Sequence, residues 1–447
     1  MRRVVVLALL FGAMKLLEPL GRPDGAPEAL LTFGFLILAA YAAGELAGSV
    51  GVPKIVGYLA GGVLAGPSVL GTVTSGAASQ LSPVSDLAIA MIAFLAGAEL
   101  EWEELKAKGT TLLRLTVSEV AVTFVAIVAL LLAMRPFVPF LAEVPFASAA
   151  VFAALFGSIA VIHSPAVTMA LLTETGAKGP IARTTLGVVL ISDVVVVLFF
   201  SAMLAVAQRA VPAAGTPVGG LLAIVWEIAG SVPIGAALGF GIAQALRVVK
   251  GEALLFALLA ALFGQQVATL AHVEVLLTLL TAGFVAVNTA KGDSGLVIRT
   301  AMERAAAPIF VVFFALAGTK LDVVETAMLA PLVAPIILVR MGAIRTGLGL
   351  GARWAGVPPR EVTPVWQGLV SQAGVAIGLV TIASEAYPQA GSGMRSLLLA
   401  MVAVNETIGP ILFRRSLAAA GELASTHDAP DAEAAPGAVD APEPAAG

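Results

Sequence analysis

Phe94-Leu95-Ala96-Gly97-Ala98-Glu99-Leu100 returns later in the chain as Ala315-Leu316-Ala317-Gly318-Thr319-Lys320-Leu321. Gly62-Val63-Leu64-Ala65 returns as Gly283-Phe284-Val285-Ala286, at the same offset of 221 residues. One offset shared by two separate matches points to an internal repeat. Its material follows from the composition. The chain is 59% hydrophobic and 12% charged, with a mean hydropathy of +0.99, whereas soluble domains carry about 25% charged residues. Most of its 447 residues must therefore face lipid or each other. The apolar runs continue over about 17 to 30 residues, as membrane-crossing helices require, while barrel strands alternate over about ten. An all-α polytopic membrane protein is expected. That composition excludes soluble enzymes, nucleic-acid binders and secreted disulfide scaffolds, and the absence of cysteine removes thiol catalysis and Cys-ligated metals.

About fourteen spans are expected: 3–20, 28–48, 52–71, 83–101, 109–134, 145–173, 181–207, 218–247, 252–271, 273–291, 297–319, 324–353, 361–388 and 392–418. Seventeen of the 25 lysines and arginines, from Arg2 and Arg3 to Arg414 and Arg415, then fall on the side of the amino terminus. The opposite side has five: Arg22, Arg135, Arg209, Lys320 and Arg395. Positive charge in short loops marks the cytoplasmic face, so both termini are placed inside. Arg2-Arg3 followed by Val4 to Leu10 also fits a signal peptide, but Lys15, Glu18 and the missing small-x-small site favour a retained helix. Residues 1–27 thus form an additional N-terminal helix ahead of a membrane domain at 28–420. Residues 421–447, rich in Ala, Pro, Asp and Glu, form a disordered acidic cytoplasmic tail.

On this topology Gly97 lies in a span running inward and Gly318 in one running outward, so the repeats are inverted. The first covers about 28–207 and the second about 252–418, six helices each, with 218–247 as a linker helix. Inverted repeats are the architecture of secondary transporters, whose sites lie near the midplane where helices are interrupted. Interruptions occur at matching places. The sixth span breaks at Ile162-His163-Ser164-Pro165, where proline removes a backbone donor and disfavours helix before it. The thirteenth breaks at Ser371-Gln372-Ala373-Gly374.

Ionisable groups deep in a span are costly and mark function by default. Asp193 lies in Val188-Val189-Leu190-Ile191-Ser192-Asp193-Val194-Val195-Val196-Val197, the sharpest such signal. With Ser192 and broken-helix carbonyls it offers hard oxygens to a small cation, and a carboxyl withdrawn from water also competes for protons. Arg340 lies mid-span in Ile336-Ile337-Leu338-Val339-Arg340-Met341-Gly342 and should face the core and a carboxylate. Glu119 and Glu406 are the candidates, either as its partner or as a second proton site. Glu45, Glu99 and Glu227, nearer span ends, are read as structural. His163 is a candidate pH sensor or a hydrogen-bonded residue of the break. Asn288 and Gln265-Gln266 are read as inter-helix hydrogen-bonding groups.

Further motifs carry a resemblance. Val52-Pro53-Lys54-Ile55-Val56-Gly57-Tyr58-Leu59-Ala60-Gly61-Gly62 with Gly66-Pro67-Ser68-Val69-Leu70-Gly71, the Phe94–Leu100 stretch, and Pro308-Ile309-Phe310 with Phe313-Phe314 and Gly318 together resemble signatures of one family. Residues 28–418 are similar to bacterial monovalent cation:proton antiporters of the sodium/proton exchanger superfamily, with Kef- and NapA-like membrane domains. The resemblance implies the NhaA-like fold, in which the two broken helices cross. It implies that Asp193 is the essential aspartate binding a transported Na+ or K+ or a proton, that Arg340 is the buried basic residue, and that Ser164 lies on the polar unwound segment with Pro165. Gln372 and Gly374 mark the second break. It further implies a homodimer in the bacterial inner membrane, with no cofactor and no nucleic-acid partner. A static interface domain would hold a six-helix core, made of spans five, six, seven, twelve, thirteen and fourteen, that moves like an elevator.

The chain departs from better-known members at three positions. Ser192 stands where electrogenic members often have a second aspartate, which favours electroneutral, one-for-one exchange. His163 replaces a small hydroxylated residue, and Val375 stands where many members have a glutamate. Kef-type relatives carry a nucleotide-binding domain after the membrane part, and with the short tail here such ligand gating is not expected. The expected function is exchange of a monovalent cation, Na+ before K+, for protons by alternating access. The alternative is a K+ efflux channel or facilitator without proton coupling. An aspartyl enzyme would need two close carboxylates, which Ser192-Asp193 does not supply.

Overall fold

The computed structural model describes residues 28–100, 102–211, 220–246, 253–290, 294–372 and 374–423. The expected span 3–20 and the tail beyond 423 lie outside them. Among the described residues every regular element is helical. The longer helices are α1 (Glu28–Ser49), α2 (Lys54–Ala65), α3 (Ser82–Ala98), α4 (Trp102–Ala133), α5 (Phe146–Ala160), α6 (Pro165–Thr175) and α7 (Pro180–Ala210). They continue with α8 (Gly220–Ala245), α9 (Ala253–Leu270), α10 (Val275–Thr289), α11 (Ser294–Thr319), α12 (Val323–Ala355), α13 (Gly374–Ala386) and α14 (Pro388–Ala419). A 3-10 helix at Thr363–Leu369 precedes α13.

The expected spans from 28 onward fall on these helices, and the differences have local causes. The span at 52–71 is helical only to Ala65, because Gly66 is extended (ψ 172°) and Pro67 follows it. The span at 145–173 is two helices, α5 and α6, and the span at 361–388 is the 3-10 helix followed by α13. Prolines inside helices, such as Pro331 and Pro335 in α12, do not interrupt them. Neighbouring helices in a membrane can satisfy the freed backbone groups. Where a stop is needed the chain uses glycine: α12 ends at Gly356 in the left-handed conformation (φ 74°), whose N–H returns to Ala352 and Arg353.

Two apolar clusters organise the packing. One draws on α4, α5, α7, α12, α13, α14 and the adjoining turns, with Phe152, Phe156, Phe200 and Tyr387 at its centre. The other joins α1, α2, α3, α8, α9, α10 and α11 to α6 and to the remaining ends of α4, α7, α12 and α14. Within the core, α4 and α12 lie close enough that a Cβ on Gly347 would come within 2.6 Å of the Cα of Glu119.

The repeated glycines are paired across the two halves. A Cβ on Gly62 would lie 2.1 Å from the Ala315 carbonyl and 3.0 Å from the Cα of Gly318. A Cβ on Gly283 would lie 2.0 Å from the Phe94 carbonyl, and one on Gly97 would lie 1.9 Å from the Leu280 carbonyl. So α2 meets α11 through Gly62 and Gly318, and α10 meets α3 through Gly283 and Gly97. Each contact is the other with the halves exchanged, as a two-fold relation between repeats requires. The crossed pairing joins the residues that share the 221-residue offset in the sequence.

Candidate ion-binding site

Helix α5 stops at Ala160, and α6 starts at Pro165 with Ser164 as its N-cap, whose Oγ accepts a hydrogen bond from Val167 N at 3.2 Å. Proline suits the first helical position because its missing N–H would have no helical partner there. The second break follows Leu369. The Arg340 side chain, 1% exposed, reaches from α12 into both. Its Nε donates to Ala160 O (2.8 Å), Nη1 to Val370 O (2.7 Å), and Nη2 to Ile162 O (2.8 Å) and Leu369 O (3.3 Å). Gln372 adds a second tie, its Nε2 donating to Ala160 O and its Oε1 accepting from Asn405 Nδ2 on α14, both at 2.8 Å. The breaks therefore meet, and one guanidinium closes the carboxyl ends of both.

The hydrogen-bond donors of Arg340 go to carbonyl oxygens, while Glu119, of the two acids expected near it, is the one close enough to interact with its charge. The physical reason lies in the breaks. Each helix end exposes unpaired carbonyls and carries roughly half a negative charge, so two ends facing one site balance about one cation. Glu119 makes no direct hydrogen bond to Arg340 but adjoins it through His163. Its Oε1 accepts from Thr123 Oγ1 (2.8 Å), and its Oε2 lies 3.1 Å from His163 Nε2. The other ring nitrogen, Nδ1, lies 2.6 Å from Leu369 O. Arg340 Nη2 lies 3.3 Å from the same Nδ1, so the imidazole stands between the guanidinium and Glu119.

Asp193 stands apart from this network. It is 9% exposed, and both of its carboxylate oxygens are buried with no hydrogen-bond partner among the described residues. It lines a cavity with Val194, Val197, Leu277, Leu280, Val375 and Glu274. An adjoining cavity, sharing Val375 and Leu276 as lining residues, is bounded by His163, Ser164 and Pro165. The unwound ends thus lie beside the aspartate. Ser192 does not turn toward the cavity's polar side; its Oγ donates to Val189 O at 2.8 Å within its own helix. Glu406 is buried on α14 next to Asn405. Of the acids read as structural, Glu99 pairs with Arg299 at 2.6 Å and Glu45 with Lys54. Asn288 does join helices, accepting from Trp102 N and donating to Leu100 O, each at 2.8 Å.

Glu274 was not singled out in the sequence. It caps α10, its Oε2 accepting from Leu277 N, and its side chain shares the Asp193 cavity. The available signal was an acidic residue just ahead of an apolar run, which reads first as a helix cap.

A family model described as "Sodium/hydrogen exchanger, transmembrane" matches residues 34–417. The Na(+)/H(+)-K(+) antiporter GerN of Bacillus cereus is 29% identical over 98 residues, which is 22% of this chain and 25% of GerN. The match thus spans a quarter of that relative's length. A solved structure of the sodium proton antiporter MjNhaP1 from Methanocaldococcus jannaschii at pH 8 superposes with a TM-score of 0.66 at 14% identity, covering 87% of this chain and 98% of that one. An electron-microscopy structure of MjNhaP1 gives 0.68 at 14% identity, over 88% and 96%. At that identity the superpositions establish the fold.

Proposed function

The chain belongs to the sodium/hydrogen exchanger transmembrane family, and on that premise we propose that it exchanges a monovalent cation for protons through Asp193. It is a multi-pass membrane transporter rather than an enzyme. The observation that carries the reading is the pair of buried, unpartnered Asp193 oxygens beside two broken helices whose polar ends are otherwise closed. A buried carboxylate without a partner is costly, and either a proton or a desolvated cation relieves that cost. One group that holds either, but not both, couples the two flows.

The charges of the core favour one-for-one exchange. Position 192 beside Asp193 is a serine whose hydroxyl is turned to its own helix, which leaves Asp193 as the carboxylate at this point of α7 that trades ligands. We read the cation as sodium before potassium, and the core of α4, α5, α6, α7, α12, α13 and α14 as the part that moves against the remaining helices. A homodimer in a bacterial inner membrane, with both termini cytoplasmic, completes the reading.

The test is purified protein in liposomes holding a pH dye and an imposed proton gradient, with sodium or potassium added to wild type and Asp193→Asn. Collapse of the gradient in wild type alone supports exchange through Asp193, and the responding ion is the substrate. Equal collapse in the variant overturns the assignment. Potassium flux without proton movement turns the reading into a channel or facilitator.

A further inference from the structure

We propose that Glu274 is a second cation-contacting carboxylate, set across the cavity from Asp193 by the helices opposite the core; the proposal rests on Asp193 binding the transported ion. Asp193 comes from α7 and Glu274 from the start of α10, which packs on α3 and α8. The rest of the cavity wall is Val194, Val197, Leu276, Leu277, Leu280 and Val375, with no lysine or arginine among the lining residues. Two carboxylates facing a shared apolar space repel strongly, because little solvent screens them. A cation between them turns that repulsion into attraction.

Capping does not explain the choice of glutamate. Its Oε2 accepts from Leu277 N, but Ser, Thr, Asp and Asn are the preferred residues at an N-cap. The cap instead fixes the carboxylate in place, and its oxygens retain lone pairs for an ion. Asp193 supplies the independent sign of a ligand, since both its oxygens are buried without a partner on the same cavity. The cation is then held between the moving core and the opposing helices while Asp193 faces α10. Leaving Glu274 behind is part of carrying it across. The residue therefore governs capture of the cation more than the rate of transfer once it is bound.

The experiment uses the full chain in liposomes with sodium and, separately, potassium as probes. Glu274→Ser keeps a capping oxygen and removes the charge, whereas Glu274→Asp keeps both. The expected result for Glu274→Ser is a half-saturating cation concentration raised about tenfold, with a maximal rate equal to or above that of wild type and an unchanged thermal midpoint. Glu274→Asp is expected to recover most of the affinity. An unshifted half-saturation in Glu274→Ser overturns the proposal, and so does an equal shift in both variants, which would mark a shape effect. Asp193→Asn separates the two readings. If it stops exchange while Glu274→Ser behaves as wild type, only the role of Glu274 fails. If exchange survives Asp193→Asn, the underlying site fails.

Discussion

Removing the Arg340 guanidinium strands four carbonyl oxygens, those of Ala160, Ile162, Leu369 and Val370, away from water. Arg340→Ala is expected to cost about 3–5 kcal/mol, as when a buried charge loses its partners, and to abolish transport; a thermal melt in detergent and the liposome assay read the two effects. Arg340→Lys keeps the charge but lacks the planar fork, so it should fall between wild type and alanine in both measurements. Wild-type behaviour in the lysine variant would mean that charge alone suffices. His163 and Glu119 form one unit. His163→Gln and Glu119→Gln should therefore be non-additive, with a coupling of about 1–3 kcal/mol in a double-mutant cycle of thermal stability. Strict additivity would dissolve the pair. Hydropathy made Arg340 and Asp193 conspicuous, because a lone charge in an apolar run stands out. The partners of Arg340 were not legible, since every residue has a carbonyl and only the broken helices leave these ones open. Glu274 was hidden for a related reason: sitting at a helix start, it looked like a cap, and its distance in sequence from Asp193 concealed their shared cavity.

Helices α5 and α6 were legible as one interrupted span because Pro165 marks a first turn and Ser164 a cap. The second break was legible from its small and polar run at 371–374. That the breaks cross was implied by the family resemblance, but the side chains that tie them, Arg340, Gln372 and His163, were not readable as partners, since packing alone sets them together. The crossed glycines carry the prediction at this scale. A side chain at Gly62 or Gly318 must enter the same α2–α11 contact, and one at Gly97 or Gly283 the α3–α10 contact. Each single change to valine should destabilise by about 1–3 kcal/mol or more, because the obstacle is backbone. Gly62→Val with Gly97→Val should add, whereas Gly62→Val with Gly318→Val should not, since those two share one contact. Thermal midpoints of the four singles and two doubles decide it; additivity in both pairs would contradict the observed pairing.

For the whole molecule, exchange through Asp193 would make proton and cation compete. Lowering the pH should raise the half-saturating cation concentration, by up to about tenfold per unit where Asp193 is mostly protonated, while the maximal rate at saturating cation changes less. A pH-independent affinity would remove the competition. One-for-one exchange also predicts that an imposed membrane potential leaves the initial rate unchanged in liposomes; a rate that follows the potential would require unequal charges to cross. The composition revealed that the chain lives in a membrane and the shared offset revealed a repeat, but their geometry became readable only in the glycine contacts. Those contacts bear on ancestry. Two copies of one half, inserted in opposite senses, would make the same glycine contact twice, each copy serving as both donor and recipient. A half alone leaves both glycine faces uncovered, so a half-length forebear would have needed its antiparallel twin. Joining the two through α8 turns an assembly that depended on concentration into a permanent one. Fusion would also free the halves to diverge, so that position 119 can hold an acid while position 340, at the same offset of 221 residues, holds a base.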